Sequence, residues 1–396
     1  MSGVTKHIYN RDICNIISMW NEELKSIENL LPVGYSEDDI LATIKMFYPH
    51  EWKSTEVKYI YYKKKDKSLR SMHKKPRYNM PKPEKLIKDT SEYKKITNEN
   101  YKTFYDSKFD EDIIESKRAA LWKKREPKIR RINDKIEKAT LRTQIVTPEF
   151  IDTMIGLYER KTTSQKDKVY ILAEMEKYYN DKVIWFFFKV NDTELNRQLR
   201  EEAFYHLQKF NYHPRLRSQK YMRVHTNNKK RKDYLKNVYS KEEFHIAHNP
   251  NELEYRIHNS KEQSIKSFDY FISHSSKDSS TVQKLITYEN KNGMNIFCDW
   301  LNDADYLKRG LLCEATVKVL ELRMKQSKEM IFVESNNSRK SDWCKYELNY
   351  YFSLNRPIYK ITREDIDEGR FELERMESDN CFLDENYLQL IKYRSY

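Results

Sequence analysis

Four short apolar runs in the last third of the chain constrain its fold most: FDYFISH (268–274), MNIFCDW (294–300), EMIFVES (329–335) and PIYKI (357–361). Segments with helical periodicity separate them. Val282, Leu285 and Ile286 follow the first run, and Cys313, Val317, Leu320 and Met324 follow the second. A helix capped by Ser341 follows the third. Strands buried on both faces read as unbroken apolar runs, and helical crossovers between them make their pairing parallel. Gly293 stands where a helix C-cap glycine belongs, and Asn355 with Pro357 stops the helix before PIYKI. Tyr387, Leu388, Leu390 and Ile391 predict a closing helix. Residues 263–396 are therefore expected to form an α/β domain, a small parallel sheet with helices on both faces.

The preceding residues read differently. Only 6 Gly and 10 Pro occur in 396 residues, so chain breakers are scarce and helix is favoured. Ile16, Ile17, Trp20, Leu24 and Ile27 form one helical stripe. Ser36 and the acids after it start another helix, which Pro49 closes. VKYIYYKKK (57–65) is read as a short strand, 71–83 as loop, and 110–145 as helix broken near Pro127. Thr147-Pro148-Glu149 starts a helix. Helices then follow over 168–179, 181–191 and 193–210, although KVIWFFFKV in the middle one is open to either helix or strand. Stacked helix pairs resembling a helical repeat suit this region, without a visible internal repeat. Residues 249–264 are polar and read as irregular, which puts a domain boundary near 262. The expectation for 1–262 is a mainly α, basic domain for sensing or oligomerisation.

The net charge is +13, so an anionic partner such as nucleic acid or a phosphorylated ligand is compatible with the chain. The basic stretches 63–65, 123–131 and 229–232 lie among Tyr and Trp, as backbone binding with stacking requires. The 5 cysteines have no CxxC spacing, which predicts reduced thiols and no metal site. The start, MSGVTKHIYNRD, lacks an apolar signal core, and no apolar run approaches a membrane span. A cytoplasmic protein without membrane contact is expected.

Within this frame, FDYFISHSSKD, NIFCDW, the polar loop 301–310 and SDWCKYEL occur in order on alternating strands and helices. This pattern resembles a Toll/interleukin-1 receptor (TIR) domain, over about the last third of the chain. The resemblance implies a flavodoxin-like sheet, self-association through TIR domains, and a mobile loop after the second strand. Many TIR domains cleave NAD+ between nicotinamide and ribose, with a Glu four residues after a Trp. By that match the catalytic residue is Glu347, preceded by Trp343. TIR adaptors without enzymatic activity generally lack it.

The chemistry suits those residues. The bond breaks through an oxocarbenium-like transition state while nicotinamide leaves neutral, so one carboxylate on the ribose can stabilise the charge. A helix from Ser341 puts Trp343, Tyr350 and Tyr351 near Glu347. Ligands of open α/β sheets sit at the carboxyl ends of strands, which makes His274, Ser275, Asp299 and Trp300 candidate substrate contacts. Lys308 and Arg309 are candidates for the diphosphate. No GxGxxG or GxxxxGK[ST] occurs, so NAD+ is expected as a consumed substrate and no cofactor is implied.

The resulting expectation is an NAD+ glycohydrolase releasing nicotinamide and ADP-ribose or a cyclic form. The resemblance implies a triggered effector of anti-phage defence acting by NAD+ depletion, with a nucleic-acid or protein trigger on the basic N-terminal part. A nucleotide second messenger for a separate effector, or a non-enzymatic TIR interaction module, are the alternatives.

Overall fold

A computed structural model of the chain describes residues 4–215, 227–240, 243–308 and 313–377. It packs as two units that divide after Ile136, with Asn211–His213 joining the first. The first unit is helical: α1 (Val4–Ile27), α2 (Glu37–Phe47), α3 (Pro49–Ser71), α4 (Pro83–Lys88), α5 (Ser91–Ile96), α6 (Glu99–Ser107) and most of α7 (Glu111–Thr140). Trp20, Leu24 and Ile27 of α1 are fully buried, as their spacing predicts. Ser36 caps α2 in a reciprocal capping box with Asp39.

Two expectations fail here. Residues 57–65 are not a strand but the middle of α3, because Pro49 opens a helix at its N1 position instead of merely ending α2. Trp52, Thr55, Tyr62 and Asp66 then fall on one buried stripe of that helix. Pro127 does not break α7. It is exposed, so the carbonyl it leaves without a partner can bond water.

The second unit opens with helices α8 (Phe150–Glu159), α9 (Gln165–Met175), α10 (Asp181–Thr193), α11 (Arg197–Lys209), α12 (Lys229–Ser240), α13 (Pro250–Asn259) and α14 (Lys261–Ser264). KVIWFFFKV is helical: Asn180 caps α10, and Val183, Phe187 and Val190 bury one face. Helix α11 starts later than expected, capped by Asn196 and not Thr193. The stretch 249–264 is not irregular but forms α13 and α14. The side-chain cap at Asn249 and the buried pair Leu253 and Ile257 outweigh its polar composition.

Beyond these helices the four apolar runs supply four strands of a five-stranded sheet of order β2-β1-β3-β4-β5. Its strands are β1 (Phe268–Ser273), β2 (Ile296–Phe297), β3 (Ser327–Glu334), β4 (Ile358–Thr362) and β5 (Glu374–Arg375). MNIFCDW contributes only Ile296–Phe297, and its Asp299 and Trp300 open a short helix instead of ending the strand. The first four are parallel, in the register Tyr270 to Ile296, Phe271 to Met330 and Ile331 to Tyr359. β5 is antiparallel to β4 and was not expected, since its two exposed residues carry no apolar signal. The crossovers between the parallel strands are α15 (Ser279–Lys291), α16 (Asp299–Asn302) with α17 (Glu314–Gln326), and α18 (Asp342–Ser353), while α19 (Arg363–Asp367) connects β4 to the antiparallel β5. Alternation along β3 sorts the core into two layers. Met330 and Phe332 pack with Leu320, Met324, Cys344 and Leu348, while Ile331 and Val333 pack with Val282, Leu285 and Ile286. The closing helix expected around 387–391 lies outside the described residues.

The boundary expected near 262 falls inside this second unit, and buried ion pairs link the two sides of it. Lys266, just before β1, donates to Glu174 of α9 at 2.6 Å, and both side chains are buried. Arg323 of α17 pairs with Asp303 at 2.7 Å, again with both buried, and donates to Gln263 at 2.8 Å. Lys177 joins the two pairs, 2.8 Å from Glu174 and 3.6 Å from Asp303. Burial opposes ionisation of Glu174, yet Lys177 and Lys266 hold it well below the usual carboxylate range. Burial draws the Lys266 ammonium down to about 8, with Glu174 pulling the other way. The edge of the sheet is covered as well. The Gln144 side chain accepts from the Ile296 N–H at 2.9 Å and donates to the Ile296 carbonyl at 2.5 Å, as a neighbouring strand would.

Removing one member of such a cluster leaves a buried charge uncompensated. Glu174→Gln is expected to destabilise the protein by about 3–5 kcal/mol, and adding Lys266→Met is expected to restore part of that. Urea unfolding of the three proteins measures both effects; an unchanged midpoint for Glu174→Gln contradicts the role given to the cluster.

Candidate active site

The carboxyl ends of β1 and β2 and the start of α18 surround a cavity of about 190 Å³. Its lining includes His274, Ser275, Asp299, Trp343 and Glu347, five of the residues picked out from the sequence. Asp278 braces the rim. It is buried and accepts from Ser335 Oγ at 2.6 Å, Asn337 Nδ2 at 2.8 Å and Arg363 at 3.2 Å. The loops after β1, β3 and β4 are thereby tied together.

Glu347 is presented by α18. Ser341 caps that helix, accepting from the Cys344 N–H at 3.3 Å. Cys344, Leu348 and Tyr351 bury the sheet-facing side, so Glu347 is turned to the cavity. The residue keeps some exposed surface there, while its carboxyl group is surrounded by protein. Ser273, the last residue of β1, donates to Glu347 Oε2 at 2.6 Å. Burial pushes the Glu347 carboxyl up to about 8; the Ser273 bond lowers it and the nearby Asp299 charge raises it. Two thiols are buried alongside. Burial pushes Cys344 up to about 12 and Cys298 well above the usual thiol range, and the Glu347 charge raises both further.

His274 is fixed from two sides. The Trp300 indole N–H can only donate, so His274 Nε2 accepts it at 2.9 Å. The ring proton then lies on Nδ1, 3.3 Å from the Ile272 carbonyl. His274, Cys298 and Asp299 bring ligand-type atoms within 4.8 Å of one another. The indole nevertheless occupies the imidazole lone pair that a metal would need, and the Cys298 thiol is held protonated by burial.

Trp300 therefore stands behind His274 and is not part of the lining. Lys308 is exposed and also outside the lining, and Arg309 lies outside the described residues. Tyr350 and Tyr351 do not line the cavity with Trp343. Tyr351 is buried in the core, where its hydroxyl donates to the Ser327 carbonyl at 3.2 Å. Sequence reasoning missed Ser273, Thr316 and the apolar wall of Phe271, Leu307 and Leu320. Period-2 alternation along β1 separates Phe271 from Ile272, but nothing in one strand reveals which residue of α18 will face its last position.

Residues 271–365 match the family described as "Thoeris protein ThsB, TIR-like domain". The chain is 35% identical over 369 residues to a Cytobacillus dafuensis protein named "Putative cyclic ADP-D-ribose synthase TIR2", covering 93% of this chain and 94% of the relative. It is 29% identical over 148 residues to "Probable 3' cyclic ADP-D-ribose synthase ThsB'" of Bacillus cereus (strain MSX-D12), covering 35% of this chain and 75% of the relative. It is also 32% identical over 106 residues to "Toll-like receptor 2" of Boselaphus tragocamelus, covering 26% of this chain and 13% of the relative. No solved structure matches significantly.

The carboxyl of Glu347 in the free protein is expected to titrate with a midpoint near 8, protonated below it and ionised above. Asp299→Asn removes a like charge, which moves the midpoint to lower pH. Carboxyl-selective ¹³C NMR reads both; a midpoint in the ordinary glutamate range, or an upward move in Asp299→Asn, contradicts this electrostatic picture.

Proposed function

This chain belongs to the TIR-domain family, with a ThsB-type TIR-like domain at its C-terminus, and from that premise we propose that it cleaves NAD+ at the nicotinamide–ribose bond and closes the ADP-ribose fragment into a ring. The observation that carries the reading is Glu347, a buried carboxyl turned into a small cavity four residues after Trp343. Nicotinamide leaves with the electron pair of the broken bond, and the ribosyl cation is left facing the carboxylate. A nucleophilic atom of the same ADP-ribose then captures the cation, and its proton passes to Glu347 or to water. Capture by water instead gives linear ADP-ribose.

The roles of the other residues follow from position. Trp343 offers stacking surface to the nicotinamide ring. Phe271, Leu307 and Leu320 limit the water that reaches the reacting carbon. Asp299, Ser275 and His274 face the cavity as partners for the ribose hydroxyls. Lys308 and Arg309 remain candidates for the diphosphate.

Ring closure is preferred over hydrolysis because two of the relatives are named as cyclic ADP-ribose synthases. On this reading the product is a nucleotide signal for a separate effector, and NAD+ depletion is secondary. The role in anti-phage defence has the Thoeris name of the matched family as its support. Of the region 1–262 expected to sense a trigger, the part that forms the first unit, residues up to Ile136, is assigned to trigger recognition and self-association. A cavity of about 190 Å³ is smaller than the roughly 300–1,000 Å³ of typical ligand sites, so a second TIR domain is proposed to complete the dinucleotide site.

Incubation of the purified protein with NAD+ tests the reaction. Nicotinamide release is expected, with a second product one water lighter than ADP-ribose by mass spectrometry. Glu347→Gln is expected to lower release by about 10²–10³-fold, the range of a lost charge-stabilising group. Absence of nicotinamide at all protein concentrations, or equal release by Glu347→Gln, refutes the proposal; linear ADP-ribose alone assigns hydrolysis instead. If a second domain completes the site, specific activity rises with protein concentration, whereas concentration-independent activity removes self-association from the mechanism.

A further inference from the structure

We propose that Ser273 is the positioning residue for Glu347, holding Oε2 so that Oε1 is presented to the reacting ribose carbon. The inference rests on the assignment of Glu347 above and adds a residue that neither the motif pattern nor the relatives' names assign.

Ser273 is fully buried at the carboxyl end of β1, opposite Phe332 of β3. A strand end paired in a parallel sheet is among the stiffest anchors available. Its hydroxyl reaches across 74 residues of sequence to Glu347 Oε2 at 2.6 Å. Among the described residues no other hydrogen bond to the Glu347 carboxyl is found, so this bond is its one polar tether. Oε1 is left for substrate. The Cys344 thiol lies against the same hydroxyl, one turn before Glu347 on α18. A weak donor buried on that side cannot take over the work of the hydroxyl. The other titratable groups around the carboxyl are Asp299 of α16, Cys298 after β2 and His274 after β1.

A serine that merely filled space would leave the chemistry unchanged when replaced by a residue of similar size. A positioning serine would not. A hydroxyl donor favours the ionised carboxylate over the neutral acid, so its loss makes Glu347 harder to ionise. The step is then slowed through geometry and through the fraction of enzyme in the reactive state, while binding of the dinucleotide elsewhere is retained.

The experiment compares full-length Ser273→Ala, Ser273→Cys and Ser273→Thr with the unmodified protein. Nicotinamide release is followed against pH and NAD+ concentration, and Glu347 is titrated separately by ¹³C NMR. Ser273→Ala is expected to lower kcat by about tenfold to a hundredfold, the equivalent of a hydrogen bond to a charged group, with KM within about twofold. Its acid limb and the Glu347 midpoint are expected to move to higher pH together. Ser273→Cys keeps the volume with a weaker donor and falls between. Ser273→Thr keeps the hydroxyl and restores both readouts. An unmoved midpoint in Ser273→Ala or Ser273→Cys overturns the proposal, as does a rise in KM alone. If the protein turns over no NAD+, the function proposed above fails, while the NMR titration still decides whether Ser273 controls the Glu347 proton.

Discussion

The paired buried charges at the amino ends of the strands hold the second unit together. Lys266 and Glu174, Arg323 and Asp303 are all nearly inaccessible to water, and Lys177 links the two pairs. Each ion taken from water carries a penalty of several kcal/mol unless partners restore its interactions. The five groups meet that condition only if α9, the start of β1, the turn after α16 and α17 keep their places together. The helical segment from residue 137 to 264 is thus a wall of the catalytic unit. Asp303 gives this a functional consequence, because it follows directly on α16, which carries Asp299, and precedes Leu307, both of which line the cavity.

At the opposite, carboxyl ends of the strands the electrostatics are reversed. Among the described residues Glu347 has one hydroxyl and no cation beside it, and its charged neighbour Asp299 is of the same sign. The ion pairs at the amino ends compensate the charges buried there, whereas the carboxyl at the cavity has no cation to compensate it. Perturbed groups of this kind gather at reactive sites, since a fully paired carboxylate has no reason to bind a cationic substrate. His274 is held to the rim by Trp300, whose indole N–H its Nε2 accepts.

Much of this was legible in the sequence, for reasons that can be named. The four strands were visible because a doubly covered parallel strand must be apolar throughout. Ser341 and Gly293 marked helix ends because caps use few residue types. Glu347 stood out through its spacing from Trp343 within the family pattern. Other features left no local trace. Residues 57–65 look like a strand because their Tyr and Ile are β-formers, and the start at Pro49 with the buried stripe of Trp52, Thr55, Tyr62 and Asp66 selects helix. The bond from Ser273 to Glu347 spans 74 residues, and that from Lys266 to Glu174 spans 92. Pairings at such separations are decided by topology, so the polar stretch 249–264 read as a linker although it lies in the middle of the unit.

The charge state of Glu347 also bears on how an enzyme of this kind stays quiet without substrate. In the empty cavity the carboxyl favours its proton, because burial and Asp299 both oppose a second negative charge. Under the proposed reaction the first positive charge to enter is the nicotinamide ring of NAD+. A cation within a few ångströms in a poorly solvated site stabilises the carboxylate by far more than it would in water. On that proposal, binding would favour ionisation of the group that the transition state requires, and as nicotinamide leaves neutral the charge would pass to the ribose that faces it. The same coupling makes a partly assembled site a poor catalyst: a ring held too far away, or solvated, leaves Glu347 protonated. If a second domain completes the cavity as proposed, completion and ionisation of the carboxyl would be one event, and assembly could act as the switch.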